Sequence, residues 1–149
     1  MRFEVKAFAE DDIKAALEIE RICFPQPLTF EDFLRFIKEG FAFSAKDADK
    51  YLGYVVADKI LDECHIERIA VHPLFRRQGV GEKLLVSLAE ASKEAGGRRM
   101  YLEVREGNLA SRALYNKIGF VESYTRVGYY SDNNEDAIVM EKKLQGTRE

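Results

Sequence analysis

Ile66-Glu67-Arg68-Ile69-Ala70-Val71-His72-Pro73-Leu74-Phe75-Arg76-Arg77-Gln78-Gly79-Val80-Gly81 is the stretch on which the fold turns. Its first half, with Ile66, Ile69, Ala70 and Val71 closed by Pro73, is the short apolar run that a buried strand makes. Its second half leads into Val80, Leu84, Leu85, Leu88 and Ala89, which recur at helical spacing. The turn between them therefore stands at a helix N-terminus, where unpaired N–H groups and about half a positive charge attract anions. Gly79 and Gly81 let a ligand approach the backbone, and Arg76 and Arg77 add full charge. Such a turn is a phosphate cradle, or in its plainest reading only a tight strand-to-helix connection. Gly79-Val80-Gly81-Glu82-Lys83-Leu84 neither completes the dinucleotide fingerprint nor contains Gly-Lys-Ser/Thr.

Working outward, 149 residues fit one domain, residues 1–144, with a polar tail, 145–149, expected to fray. A formal net charge of -3 gives no general basic field for nucleic acid or an anionic membrane, so the Arg76-Arg77 pair must serve something local. Cys23 and Cys64 are far apart, with no Cys-x-x-Cys spacing and no nearby histidine pair, so neither a disulfide framework nor a metal site is expected. Met1 to Lys6 lacks an apolar signal core, and no apolar run approaches the roughly 18 residues of a membrane span. The expected location is cytoplasmic.

In chain order, Arg2 to Phe8 alternates as a strand with Phe3, Val5 and Ala7 on one face, and Asp11-Asp12 opens a helix that turns Ile13, Ala16, Leu17 and Ile19 to one side. Phe24-Pro25-Gln26-Pro27-Leu28 is a loop, and Thr29 with Asp32 caps a second helix carrying Phe30, Phe33, Leu34 and Ile37 up to Gly40. Phe41 to Lys46 and Tyr51 to Ala57 form a hairpin, followed by a polar turn from Asp58 to Glu63 and the opening strand. After the helix from Val80, stopped by Gly96-Gly97, a strand alternates Met100, Leu102 and Val104 with Tyr101, Glu103 and Arg105. Asn108 caps a short helix, Ala110 to Ile118, closed by Gly119; strands Phe120 to Val127 and Ala137 to Lys143 follow, around a polar loop from Ser131 to Glu135. The order β-α-α-β-β-β-α-β-α-β-β describes a mixed α/β fold, in which the helical crossover makes the strands ending at Val71 and starting at Met100 parallel neighbours.

The order and four local signatures resemble the GNAT superfamily of N-acetyltransferases, most closely the RimI-type N-terminal protein acetyltransferases. The signatures are Arg-x-x-Gly-x-Gly from Arg76 to Gly81; Leu102-Glu103-Val104-Arg105 with Asn108; Ala113 to Phe120; and Gly128-Tyr129-Tyr130 with Glu135 to Met140. The resemblance covers nearly the whole chain and implies a mostly antiparallel seven-stranded sheet with four helices, with acetyl-CoA as cosubstrate and no metal. It further implies that main-chain groups of Ile69, Ala70 and Val71 contact the acetyl and pantetheine arm. Arg76, Arg77, Gln78, Gly79, Val80, Gly81 and Glu82 would hold the pyrophosphate, and Asn108 would add a bond to the arm. Glu103 matches the general base, acting through a water, and Tyr115 the general acid. Read from the residues alone, Glu103 is equally a solvated carboxylate paired with Arg105 or Arg68, and Tyr115 a packed helix tyrosine.

On the acceptor side the resemblance points to Phe24, Pro25, Leu28, Tyr129 and Tyr130, and to His65 as an alternative base or a structural histidine near the amine. Leu28 departs from the bacterial RimI pattern, where a tryptophan commonly follows the proline, which leaves the accepted first residue open. The implied acceptor is a protein or peptide N-terminus, such as that of a ribosomal protein, with the enzyme a monomer or homodimer. An α-amine costs about 1 kcal/mol to deprotonate at neutral pH and a lysine about 4.5, which favours the α-amine for a carboxylate base. The alternatives are a lysine or small-amine acetyltransferase and a non-catalytic acyl-CoA-binding sensor.

Overall fold

The computed structural model describes residues 2–144, so the expected tail lies outside the described residues. Its elements are β1 (Glu4–Ala7), α1 (Ile13–Cys23), α2 (Phe30–Glu39), β2 (Phe41–Asp47), β3 (Lys50–Ile60), β4 (Glu63–Val71), α3 (Val80–Glu94), β5 (Arg99–Arg105), α4 (Leu109–Ile118), β6 (Val121–Tyr130) and β7 (Glu135–Lys143). The order is the expected one. Short 3-10 turns, Glu10–Asp12 and Pro73–Phe75, precede α1 and α3.

One seven-stranded sheet runs β1-β2-β3-β4-β5-β7-β6, antiparallel except between β4 and β5. One face carries α3 and α4 over a core that includes Val55, Ile66, Leu84, Leu88, Met100, Leu102 and Phe120. The other carries α1 and α2 over Ile13, Ile19, Phe33, Phe36, Tyr54 and Val56. Among the described residues no helix is long and apolar enough to cross a membrane.

Local rules explain the boundaries. Thr29 accepts from the Asp32 N–H at 3.1 Å while the Asp32 carboxylate accepts from the Thr29 N–H at 2.8 Å, so two orphan donors of α2 are satisfied reciprocally. The α2 stripe differs from the expected one: Phe36 is buried and Phe30 is exposed. At the chain start Phe3 and Val5 do pack toward α3, but Ala7 is exposed and Phe8 is buried on the opposite face, stacked on Phe33. The expected Asp58–Glu63 turn shrinks to Leu61-Asp62, because β3 continues to Ile60 and β4 starts at Glu63. β6 likewise runs on to Tyr130.

Two register slips matter for the site. In β3, Gly53 faces Ala45 and Tyr51 faces Lys46, leaving Leu52 without an opposite residue. In β4, Arg68 faces Val56 and Ile66 faces Ala57, leaving Glu67 unopposed. Each is a bulge, which bends its strand and reverses the inward-outward alternation beyond it. Accordingly Ile66 before the bulge and Ile69 and Val71 after it all face α3, while Ala70 joins the α1 side. β4 and β5 stay paired only at Glu63–Arg99, Cys64–Met100 and His65–Tyr101, and then part.

Gly53 sits where β3 supports the parted length of β4. A Cβ there would lie 2.4 Å from the Ala70 carbonyl oxygen and 3.0 Å from the Val71 Cα. Gly53→Ala is expected to lower the unfolding free energy by about 1–3 kcal/mol through overpacking, read as a lower urea midpoint at unchanged slope.

Candidate active site

Two clefts meet along the parted strands. The first, 620 Å³, lies between the α1–α2 loop and the β6–β7 end and is lined by Phe24, Pro25, Gln26, Glu67, Arg68, Glu103, Tyr129 and Tyr130 among others. The second, 860 Å³, runs from Ile69, Ala70 and Val71 to Arg76, Arg77, Gly79, Val80, Gly81 and Glu82 at the start of α3. Cys23, Phe24, Ile69, Asn108, Ser111 and Tyr115 line both.

Glu103 stands on the β5 face opposite Met100, Leu102 and Val104, as alternation requires, with a side chain only 10% exposed. Neither of the arginines expected as its plain partners reaches it. Arg105 is bound by Asp132 and Glu135, and Arg68 by Glu20. Its partner is His65, whose Nε2 lies 2.7 Å from Glu103 Oε1, with Arg126 more distant at 3.8 Å from Oε2. His65 is stacked on Tyr101 at 4.5 Å, and its Nδ1 lies 3.5 Å from Glu67. It does not line the first cleft but backs Glu103 from behind.

Burial by itself would lower the His65 pKa, yet the bond to Glu103 and the charges of Glu103, Glu67 and Asp58 outweigh it and raise the imidazole above its ordinary value. Asp58, His65 and Glu67 bring one ligand atom each within 4.8 Å of one another. Asp58 is already paired with Arg35 at 2.6 Å and His65 with Glu103.

Tyr115 comes from α4, is 7% exposed, and packs its ring against Phe120. Burial pushes its hydroxyl up to about 12, with a hydrogen bond to Ser111 pulling the other way, so the phenol keeps its proton at neutral pH. It faces both clefts across from Glu103. Asn108 caps α4, its Oδ1 accepting from the Ser111 N–H at 3.2 Å.

The start of α3 fits an anion. Gly79 has φ +82°, a left-handed backbone that glycine adopts freely, and the first turn of a 15-residue helix opens toward the cleft. A Cβ on Gly81 would meet Leu114 at an ordinary 3.5 Å and Val71 at 3.9 Å, so the protein's own packing does not demand a glycine there. The Glu82 carboxylate is turned to Lys117 at 3.2 Å, leaving its main chain toward the cradle. Arg76 lines the second cleft, its Nε donating to the Val71 carbonyl at 3.0 Å and its Nη2 to Cys23 Sγ at 3.3 Å, so its side chain folds over the strand end. Gln78 is in the turn but lines neither cleft. Leu28 also lines neither; its side chain packs into the α1–α2 core. Tyr129 and Tyr130 do stand across the first cleft from Phe24 and Pro25, with Arg105 over the Tyr130 ring at 4.0 Å.

Sequence reasoning missed Glu20 and Arg68. The signal was present in α1, where Ile13, Ala16 and Glu20 fall on one face by helical spacing, which places a carboxylate on the buried stripe.

With this geometry in hand, comparison with known proteins gives a consistent result. Residues 13–120 match the profile described as Acetyltransferase (GNAT) family. A Bacillus subtilis protein provisionally named a ribosomal protein bS18-alanine N-acetyltransferase is 37% identical over 133 residues, 87% of this chain and 88% of its own. The Escherichia coli K12 protein named [ribosomal protein bS18]-alanine N-acetyltransferase is 33% identical over 139 residues, 91% of this chain and 94% of its own. The crystal structure of the E. coli ribosomal-protein-S18-alanine N-acetyltransferase superimposes with a TM-score of 0.87 at 30% identity, covering 99% of this chain and 97% of that one. Ard1 from Thermoplasma volcanium superimposes at 0.88 with 26% identity, covering 97% and 99%.

The raised His65 pKa carries a pH signature. A group whose folded pKa lies above its unfolded value of 6.5 stabilises fully below that value and loses the contribution as pH rises through the folded one. The stability gap between the natural protein and His65→Gln is therefore expected to be largest below the unfolded value and to narrow as pH rises above it. Urea unfolding of both proteins from below to above that value measures it.

Proposed function

This chain belongs to the GNAT family of acetyltransferases, and from that membership we propose that it is a protein Nα-acetyltransferase in which Glu103 and Tyr115 form the acid–base pair. As a family member it is an N-acetyltransferase using acetyl-CoA. The acceptor α-amine, and alanine as first residue, are carried over from the names of its relatives. A site in the cytoplasm, where ribosomal proteins are made, accords with that substrate.

The observation that carries the reading is that Glu103 and Tyr115 line the first cleft together, Tyr115 standing at the seam with the second. One is an almost buried carboxylate with a single close partner; the other is a buried phenol that retains its proton. In this reading the second cleft holds the coenzyme. The helix start with Gly79 and Gly81 and the charge of Arg77 take the diphosphate, and the sheet-free edge of Ile69, Ala70 and Val71 takes the arm. Acetyl-CoA supplies the thioester carbonyl that the amine attacks. Glu103 accepts a proton from the incoming ammonium, directly or through water, and His65 keeps the carboxylate oriented. Tyr115 protonates the departing sulfur. Tyr129 and Tyr130 on one side and Phe24 and Pro25 on the other flank the peptide backbone.

Incubation with acetyl-CoA and peptides differing in their first residue is expected to give α-amine acetylation, located by fragmentation mass spectrometry. Modification confined to lysine side chains or small amines would overturn the reading. Glu103→Gln and Tyr115→Phe should each slow turnover by about 10²- to 10⁴-fold with folding retained. Unchanged rates in both would remove the acid–base assignment even if the activity stood.

A further inference from the structure

A buried polar assembly lies beside the proposed chemistry and plays no part in it. Glu20 of α1 is fully buried and collects donors from three other segments. They are the Tyr54 hydroxyl from β3, Arg68 of β4 through Nε and Nη2 at 3.2 Å each, and the Leu28 N–H at 2.7 Å. Arg68 does more than neutralise this carboxylate. Its Nη2 also donates to the Gln26 carbonyl at 2.9 Å, and its guanidinium carbon lies over the Phe24 ring, 4.0 Å from the centroid. Phe24, Gln26 and Leu28, alternate residues of one loop, are thus fastened to a single buried ion pair.

That loop forms one wall of the acceptor cleft, and its Phe24 also reaches the seam where the clefts join. Apart from this assembly its ties are few: the loop is mostly exposed, and its two prolines remove two backbone donors. A wall carried on a mobile loop re-packs around different side chains and discriminates poorly, whereas a wall fixed to the body rejects those that do not fit. We propose that the Glu20–Arg68 pair is a positioning device that sets acceptor selectivity, holding the Phe24–Leu28 wall so that small first residues are accepted and bulky ones refused. The proposal rests on the reading of the acceptor as a protein N-terminus.

The planar fork of Arg68 matters as much as its charge. It spans a carboxylate and a carbonyl while stacking on an aromatic ring, which a lysine ammonium cannot do at once. The bulge at Glu67 gives it this reach, because the shifted alternation turns Arg68 to the α1 side of the sheet.

Two variants test it. Glu20→Gln combined with Arg68→Met removes both charges together, so neither is stranded in the core. Arg68→Lys keeps the charge and loses the fork, and serves alone if the double variant does not fold. Peptides beginning with alanine and with leucine are compared by steady-state kinetics, and amide hydrogen exchange is followed at residues 24–28. Expected are faster exchange at the Leu28 amide and a KM for the alanine peptide raised about tenfold with kcat little changed. The KM for acetyl-CoA should stay constant, and the alanine-over-leucine preference should narrow by about tenfold, the scale on which steric pockets discriminate. Faster exchange with unchanged preference would overturn the proposal, as would equal damage to kcat and to the KM for acetyl-CoA. Absence of any α-amine turnover in the natural protein would overturn the functional reading and the selectivity claim with it. Turnover with an unaltered preference in Arg68→Lys overturns the clamp alone.

Discussion

One inserted residue in a strand governs this site. Parallel neighbours β4 and β5 would continue to pair along their lengths if both were regular, and a closed sheet has no room for a ligand between strands. At Glu67 the bulge bends β4, and pairing with β5 ends two residues earlier at His65–Tyr101. From Ile66 onward β4 has no strand partner on that side. Backbone polar groups left in a partly dry cleft need a partner, whether a ligand, water or a side chain, and Arg76 already meets the Val71 carbonyl. The same inserted residue reverses the alternation. It keeps Ile69 and Val71 on the α3 core and sends Arg68 toward Glu20. Slot, cradle and loop anchor thus follow from one local irregularity.

Two carboxylates close to this irregularity have opposite fates, and hydrogen bonding separates them. Glu20 is saturated: four donors from a tyrosine, an arginine and a main-chain amide surround it. A carboxylate so satisfied has little lone-pair capacity left for a substrate, and its effect on chemistry can come only through what it holds in place. Glu103 has one firm bond, from His65, and a remote arginine at 3.8 Å. Its second oxygen accepts no hydrogen bond among the described residues. Protonated His65 would steady the carboxylate charge, and its Glu67 neighbour supports that protonation. Equal formal charge thus gives a saturated carboxylate at Glu20 and one with spare hydrogen-bonding capacity at Glu103, because donors were distributed unequally.

The order of elements, the alternation around Glu103, the Thr29–Asp32 cap and the glycine turn were legible because each is a local rule written in adjacent residues. What escaped the sequence depended on tertiary placement. Phe30 and Phe36 both fit a helical stripe, and only the position of the sheet decides that Phe36 is covered. Arg76 reads as a free cation beside an anion cradle until the fold brings Val71 and Cys23 within reach. Leu28 sits in a loop whose neighbours line a cleft, yet its own side chain turns into the core. The bulge did leave a trace: Ile66 and Ile69 are three apart, and a regular strand cannot place both on one face. Glu20 left another, as a charge on the apolar stripe of α1. Periodicity carries the elements; its interruptions carry the site.

The seam between the clefts also bears on how transfer proceeds. A covalent route would need a nucleophile there with a base in hydrogen-bond reach. Among the described residues that line both clefts, the one thiol is Cys23, and the group bonded to its sulfur is the Arg76 guanidinium, a donor that cannot accept a proton. Ser111 is hydrogen-bonded to Tyr115, whose phenol is itself protonated. Neither hydroxyl nor thiol therefore has the activating partner that a two-step exchange requires. Glu103, the base in the proposed reading, lines the first cleft, so the group it would deprotonate is an incoming amine rather than a side chain of the enzyme. Both substrates must then be bound together, which is what two clefts sharing six wall residues permit, and the shape of the seam itself favours direct attack.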